Sequence, residues 1–121
     1  MILIVDDEYF VTELMKRKLS DLKVKSITAN SLESAKELVS KSSDIELVIM
    51  DLHFPQENGR EFAVWLQKHH PNIKRIAVTA HSYEVHREKS EEELFDHIFQ
   101  KPVDFENDLI LCIKRYLRSG E

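Results

Sequence analysis

The sequence predicts an open α/β sandwich, a five-stranded parallel sheet with helices on both faces, and three observations carry that prediction. Short solid apolar runs recur along the chain, stretches of helical apolar spacing separate them, and acidic residues gather just past two of the runs. Ile2-Leu3-Ile4-Val5, Leu47-Val48-Ile49-Met50 and Ile76-Ala77-Val78 are continuous rather than alternating. Strands covered on both faces read this way, because neither side meets water. Five rounds of strand and helix give a doubly wound sheet with five helices.

Each element has its own warrant. The first strand, Ile2 to Val5, runs directly into Asp6, Asp7 and Glu8. Val11, Leu14, Met15, Leu19 and Leu22 then recur at three and four residues, which predicts a helix with one apolar face. A weaker strand spans Val24 to Thr28. Leu32, Ala35, Leu38 and Val39 give the second helix, with Asn30 or Ser31 placed to cap it and Glu33 in its first turn. The third strand ends at Asp51. Phe62, Trp65, Leu66 and His69 mark a third helix, which Pro71 ends. Thr79 closes the fourth strand. From Tyr83 to Glu93 the residues favour helix, yet only Tyr83 and Val85 offer apolar anchors before Leu94, so a short helix with little packing is expected. His97 to Gln100 gives a fifth, weaker strand. Phe105, Leu109, Cys112, Ile113, Tyr116 and Leu117 mark the last helix, with Asp104 as its cap.

The 121 residues fit one domain, 1–121, with no output domain in this chain. Hydrophobic residues at 42% and charged residues at 32% are a globular balance rather than a disordered one. A net charge of -5 argues against direct nucleic-acid binding, which needs clustered Lys and Arg to neutralise phosphates. The single cysteine, Cys112, excludes an internal disulfide and a thiolate metal cage; it belongs to the last apolar stripe and is expected to be inert. No apolar run approaches the roughly 20 residues that cross a bilayer, and the first run is too short for a signal peptide. A cytoplasmic protein without membrane contact is the expectation.

In open α/β sheets ligands bind outside the carboxyl ends of the strands, where the strand order reverses. With the order 2-1-3-4-5 the first and third strands are neighbours, and Asp6, Asp7 and Glu8 converge with Asp51. Two like charges about 4 Å apart repel by about 4 kcal/mol at an effective dielectric of about 20. A hard dication with oxygen ligands, Mg²⁺ or Mn²⁺, removes that penalty. A simpler role for Asp7 and Glu8 is to favour the positive start of the following helix. Lys101 ends the fifth strand ahead of Pro102, where an ammonium can neutralise a phosphoryl oxygen. Thr79 offers a hydroxyl at the same edge. Each feature alone is ordinary; four at one edge are much less easily dismissed as coincidence.

These residues resemble the response regulator receiver family over essentially the full length. Asp6-Asp7 follow an apolar first strand, and Asp51-Leu52-His53-Phe54-Pro55 ends the third, with Gly59 eight residues beyond the aspartate. Thr79-Ala80 closes the fourth strand and Lys101-Pro102 the fifth, all in the family's order and spacing. The resemblance implies the flavodoxin-like order 2-1-3-4-5. It implies Asp51 as phosphoacceptor, and Asp6, Asp7, Asp51 and the backbone carbonyl of His53 as the protein's Mg²⁺ ligands. Lys101 is then the phosphoryl-contacting lysine, its peptide bond to Pro102 cis. Thr79 is the switch hydroxyl, with the backbone at Ala80 beside it. The phosphodonor is a histidine kinase or phosphotransfer protein; the downstream target is not specified. The chain then promotes its own Mg²⁺-dependent phosphorylation and dephosphorylation and is otherwise no enzyme.

The sequence departs from that family at two places. The position three residues before the lysine, usually Tyr or Phe, is Ile98, with Phe99 beside it as a candidate to take over the packing. Phe95, Asp96 and His97 stand where a Gly-Ala turn is usual. Ile98 and the sparsely anchored helix from Tyr83 to Glu93 favour an alternative, an interaction module with the receiver fold and weakened or lost phosphoryl switching. The intact Asp6, Asp7, Asp51, Thr79 and Lys101 oppose it. A haloacid dehalogenase-like phosphatase is opposed by His53, which occupies the place of that family's second acid. Of the histidines, His69, His70 and His86 are expected at the surface. His53 and His81, each two residues beyond a site residue, are candidates for tuning the lifetime of the acyl phosphate. Trp65 is expected in packing, and of Ile110, Leu111 and Tyr116 not all can face the core.

Overall fold

A computed structural model describes residues 1–52, 54, 58–79, 94–100 and 108–117. Strands β1 (Ile2–Val5), β2 (Ser26–Ala29), β3 (Leu47–Asp51), β4 (Lys74–Thr79) and β5 (His97–Gln100) form one parallel sheet in the order β2-β1-β3-β4-β5. Helices α1 (Tyr9–Asp21), α2 (Leu32–Lys41), α3 (Gly59–His69) and α4 (Ile110–Leu117) are those among the described residues. The segment Tyr83 to Glu93, and Asp104 with Phe105, lie outside them. The alternation is the one the apolar runs predict, and the strand order is the one the family resemblance implies. No helix among the described residues is long and apolar enough to cross a membrane.

The solid apolar strands divide their side chains between two cores, because successive residues point to opposite faces. Leu3, Val5, Val48, Met50 and Ala77 meet Leu32, Ala35 and Val39 of α2 and Phe62, Ala63 and Leu66 of α3. Ile2, Ile4, Leu47, Ile49, Ile76 and Val78 meet Leu19 of α1 and Ile110, Cys112 and Ile113 of α4. The helices therefore lie α2 and α3 on one face, α1 and α4 on the other. Trp65 packs half-buried against the first core and stacks on Phe62, with ring centroids 5.9 Å apart. His69 is exposed, so the inward edge of α3 is Phe62, Ala63 and Leu66.

α1 corrects the apolar stripe read from its spacing. Leu14 and Leu22 are exposed, and the buried positions are Thr12 and Leu19. The last helix resolves its crowding by turning Leu111 out to solvent while Ile110 stays buried and Tyr116 half-buried.

The helix ends are built locally. Ser31, not Asn30, caps α2, its hydroxyl accepting from the Ser34 N–H at 3.1 Å. α1 stops in a Schellman arrangement: the Val24 N–H donates to Leu19 O and the Lys23 N–H to Ser20 O, both at 2.9 Å. Val24 packs against the same core as Leu19, supplying the apolar contact that accompanies this stop. Lys23 sits at φ 62, a left-handed conformation usually taken by glycine. Asn58 caps α3 by accepting from the Arg60 N–H at 2.9 Å. The next residue, Gly59, lies against the backbone that leaves β3. A Cβ there would come within 3.0 Å of Leu52 Cα and O and 3.2 Å of Asp51 O.

Three outcomes are expected. Lys23→Gly raises stability by about 0.5–1 kcal/mol in urea unfolding, since relief of left-handed strain of about 1–2 kcal/mol exceeds glycine's added chain entropy. Gly59→Ala lowers stability by about 1–3 kcal/mol in the same assay, because backbone must move to admit the methyl group. Burial pushes the Cys112 thiol above its ordinary pKa and covers it. A disulfide reagent at pH 8 therefore leaves the native protein unmodified and labels one thiol once it is denatured.

Candidate functional site

The parallel register places Val5 of β1 level with Met50 of β3, so both strands leave the sheet at the same edge. Asp6 continues β1 by one residue, its N–H donating to Ala29 O at 3.2 Å. The Asp6 carboxylate accepts the Glu8 N–H at 3.0 Å, which turns the chain into α1. Asn30 fixes this turn from the neighbouring strand: its amide donates to Asp6 O at 2.9 Å and to Thr12 Oγ1 at 3.1 Å. The Thr12 hydroxyl in turn donates to Tyr9 O at 3.0 Å. Asp51 ends β3 and is held from behind by the seat of Gly59 on its own carbonyl and on Leu52.

One carboxylate oxygen from each of Asp6, Asp7 and Asp51 lies within 4.8 Å of the other two. Asp6 and Asp51 are only 4% and 8% exposed, and Asp7 is the more open to solvent. At that spacing each pair of ionised groups repels by about 3–4 kcal/mol at an effective dielectric of about 20. Burial sharpens the cost, since a buried carboxylate is stable only when charge or hydrogen bonds compensate it. The donors are all oxygens, with no thiolate or imidazole in the group, which is the chemistry of a hard cation such as Mg²⁺. The residues present fit that ion. Glu8, exposed and at the cap position of α1 without a side-chain cap bond, is not part of the group.

Thr79 is the last residue of β4, one beyond Val78, which pairs with Asp51. Its backbone therefore reaches the same edge. Ala80, His53, His81, Lys101 and Pro102 lie outside the described residues. The expectation for Phe99 is corrected. Ile98 packs half-buried toward the core of α2 and α3, whereas Phe99 packs toward the opposite core, 4.3 Å from the His97 ring between centroids. Adjacent strand residues face opposite ways, so Phe99 does not take the place of an aromatic at position 98.

Spacing alone does not reveal Asn30 and Thr12. Asn30 read as a possible helix cap, yet it braces the acidic turn. The available signal was a polar residue, Thr12, beside an otherwise apolar helical stripe.

Comparison with known proteins agrees with this geometry. The family model for the response regulator receiver domain matches residues 2–113. The response regulator protein PilR of Pseudomonas aeruginosa is 29% identical over 79 residues, which are 65% of this chain and 18% of PilR. The autoinducer 1 sensor kinase/phosphatase LuxN of Vibrio campbellii is 32% identical over 83 residues, 69% of this chain and 10% of LuxN. The chain thus spans less than a fifth of either relative's length. Among solved structures, the response regulator protein TrrA of Thermotoga maritima, in complex with Mg²⁺ and BeF, superposes with a TM-score of 0.84 at 30% identity, covering 96% of this chain and 97% of TrrA. With the sheet order, the acidic edge and a family match across nearly every residue, this chain belongs to the response regulator receiver domain family.

Proposed function

We propose that this receiver domain takes a phosphoryl group onto the Asp51 carboxylate from a histidine kinase or phosphotransfer protein in the cytoplasm. The observation that carries this reading is the set of three carboxylate oxygens within 4.8 Å at the carboxyl edge of the sheet. Asp6, Asp7 and Asp51, with the backbone carbonyl of His53, would hold Mg²⁺, which supplies charge neutralisation for the acids and for the phosphoryl oxygens. One Asp51 oxygen attacks phosphorus in line. A P–O bond to Asp51 forms as the bond between phosphorus and the donor's leaving atom breaks, and that electron pair departs with the donor. The Lys101 ammonium disperses charge on the equatorial oxygens. The acyl phosphate adds about -1.5 to -2 of charge, and the Thr79 hydroxyl and the Ala80 backbone bond its oxygens, biasing the crossover that follows β4. The complex of TrrA with Mg²⁺ and BeF supports this reading for a 30% identical neighbour.

A second reading keeps the fold but not the switching, and Ile98 favours it. An aliphatic side chain on the α2–α3 face of β5 has no ring to swing when the threonine moves.

Incubation with acetyl phosphate and Mg²⁺ is expected to add one phosphoryl group by intact mass. Asp51→Asn, or chelation of the metal, leaves the mass unchanged. Modification of Asp51→Asn to the wild-type level would overturn the assignment. Under the second reading the wild type is modified, yet amide exchange in the β4–β5 region is the same before and after.

A further inference from the structure

β5 is a four-residue strand, paired with β4 alone among the described strands. Residues 80–96 separate it from β4, and so long a crossover does not dictate register as a tight hairpin does. The apolar pattern discriminates poorly as well. Ile98 faces one core and Phe99 the other, so a slip of one residue exchanges one apolar side chain for another on each face.

A polar cluster at the entry to β5 is specific where that pattern is not. Arg75, in β4, is 8% exposed. Its Nε donates to Leu94 O at 2.6 Å and its Nη1 to Ile73 O at 3.2 Å. The Arg75 backbone N–H donates to Asp96 Oδ2 at 2.8 Å, and the Asp96 N–H donates back to Arg75 O at 2.7 Å. Tyr116 of α4 donates its hydroxyl to Asp96 O at 3.1 Å. The residue just before β5 is thus bound to both polar groups of one β4 peptide position and to the last helix. The first register pair, Ile76 with His97, follows directly from it. The last pair, Thr79 with Gln100, brings β5 to the site edge, and the next residue in sequence is Lys101.

We propose that Arg75 and Asp96 form the register lock of β5, and that Arg75 is a positioning residue for the phosphoryl contact made by Lys101. The inference rests on the phosphoacceptor reading above. A one-residue slip moves the chain by about 3.3 Å and turns every side chain to the other face. A charge-assisted hydrogen bond of about 2.7–2.9 Å does not survive such a move. Asp6 and Asp7 follow β1, and Asp51 ends β3. Although Arg75 is level with Val48 of β3, its side chain and that of Asp96 bond, among the described residues, only to the β4 and β5 entries. The lock therefore governs phosphoryl binding and leaves the cation alone.

Calorimetric titration of the full chain separates the two. Mg²⁺ is titrated first, then beryllofluoride at saturating Mg²⁺. Arg75→Met and Asp96→Ala are expected to leave Mg²⁺ affinity unchanged and to weaken beryllofluoride at least about tenfold, the scale of one lost hydrogen bond to a charged group. Asp96→Asn, whose amide oxygen still accepts the Arg75 N–H, restores binding. Wild-type beryllofluoride affinity in either variant overturns the proposal. So does a parallel loss of both ligands, which marks simple destabilisation. If Arg75→Met does not fold, Asp96→Ala decides alone, because that side chain is exposed. A wild type that binds no beryllofluoride with Mg²⁺ sinks the phosphoacceptor reading itself.

Discussion

The parallel register between β1 and β3 is the constraint on which the site depends. Ile2 pairs with Leu47 and Val5 with Met50, so the first residues beyond the two ladders are acids on neighbouring strands. Like charges do not attract, and two buried hydrocarbon ladders bring Asp6 and Asp51 to one edge. Each ladder residue is at most 1% exposed, and moving either strand along the other would strip apolar side chains out of both cores at once. Core burial thereby supplies the free energy that holds like charges at close quarters, a concentration of charge that a hard cation suits.

Two different kinds of force then divide the sheet. β1 and β3 are set by apolar interlocking, with α2 and α3 covering one face and α1 the other. Toward β5 the burial thins: Ile98 and Phe99 are only half-buried, and a directional polar cluster at Arg75 and Asp96 takes over. Hydrophobic burial has no direction and tolerates exchange of similar groups, whereas hydrogen bonds of fixed length do not. The two departures noted in the sequence meet here. Asp96 stands where a Gly-Ala turn is usual, and in this chain it is a partner for Arg75 and Tyr116 rather than a gap in the pattern.

The sheet and the acidic edge were legible because their signals are one-dimensional. Continuous apolar runs mark buried strands, and a carboxylate directly after such a run lies at a strand end whatever the rest of the chain does. Leu14 and Leu22 misled because helical spacing defines a stripe but not which edge of it meets the sheet. Thr12 took an inward place on the strength of hydrogen bonds to Tyr9 and Asn30, and no spacing rule reports those. Arg75 was illegible for a related reason. A charged residue at the start of a strand reads as solvent-facing, and the carbonyls of Leu94, returning over it, and of Ile73 make its burial tolerable.

The seat of Gly59 has a mechanical consequence. With no side chain between them, the first turn of α3 approaches the backbone after Asp51 more closely than a residue with a Cβ would allow. A shift of the start of α3 toward the sheet would therefore press directly on the backbone that leaves β3. A shift of that backbone would press back on α3 in the same way, so helix and strand end are joined by a contact that only glycine permits.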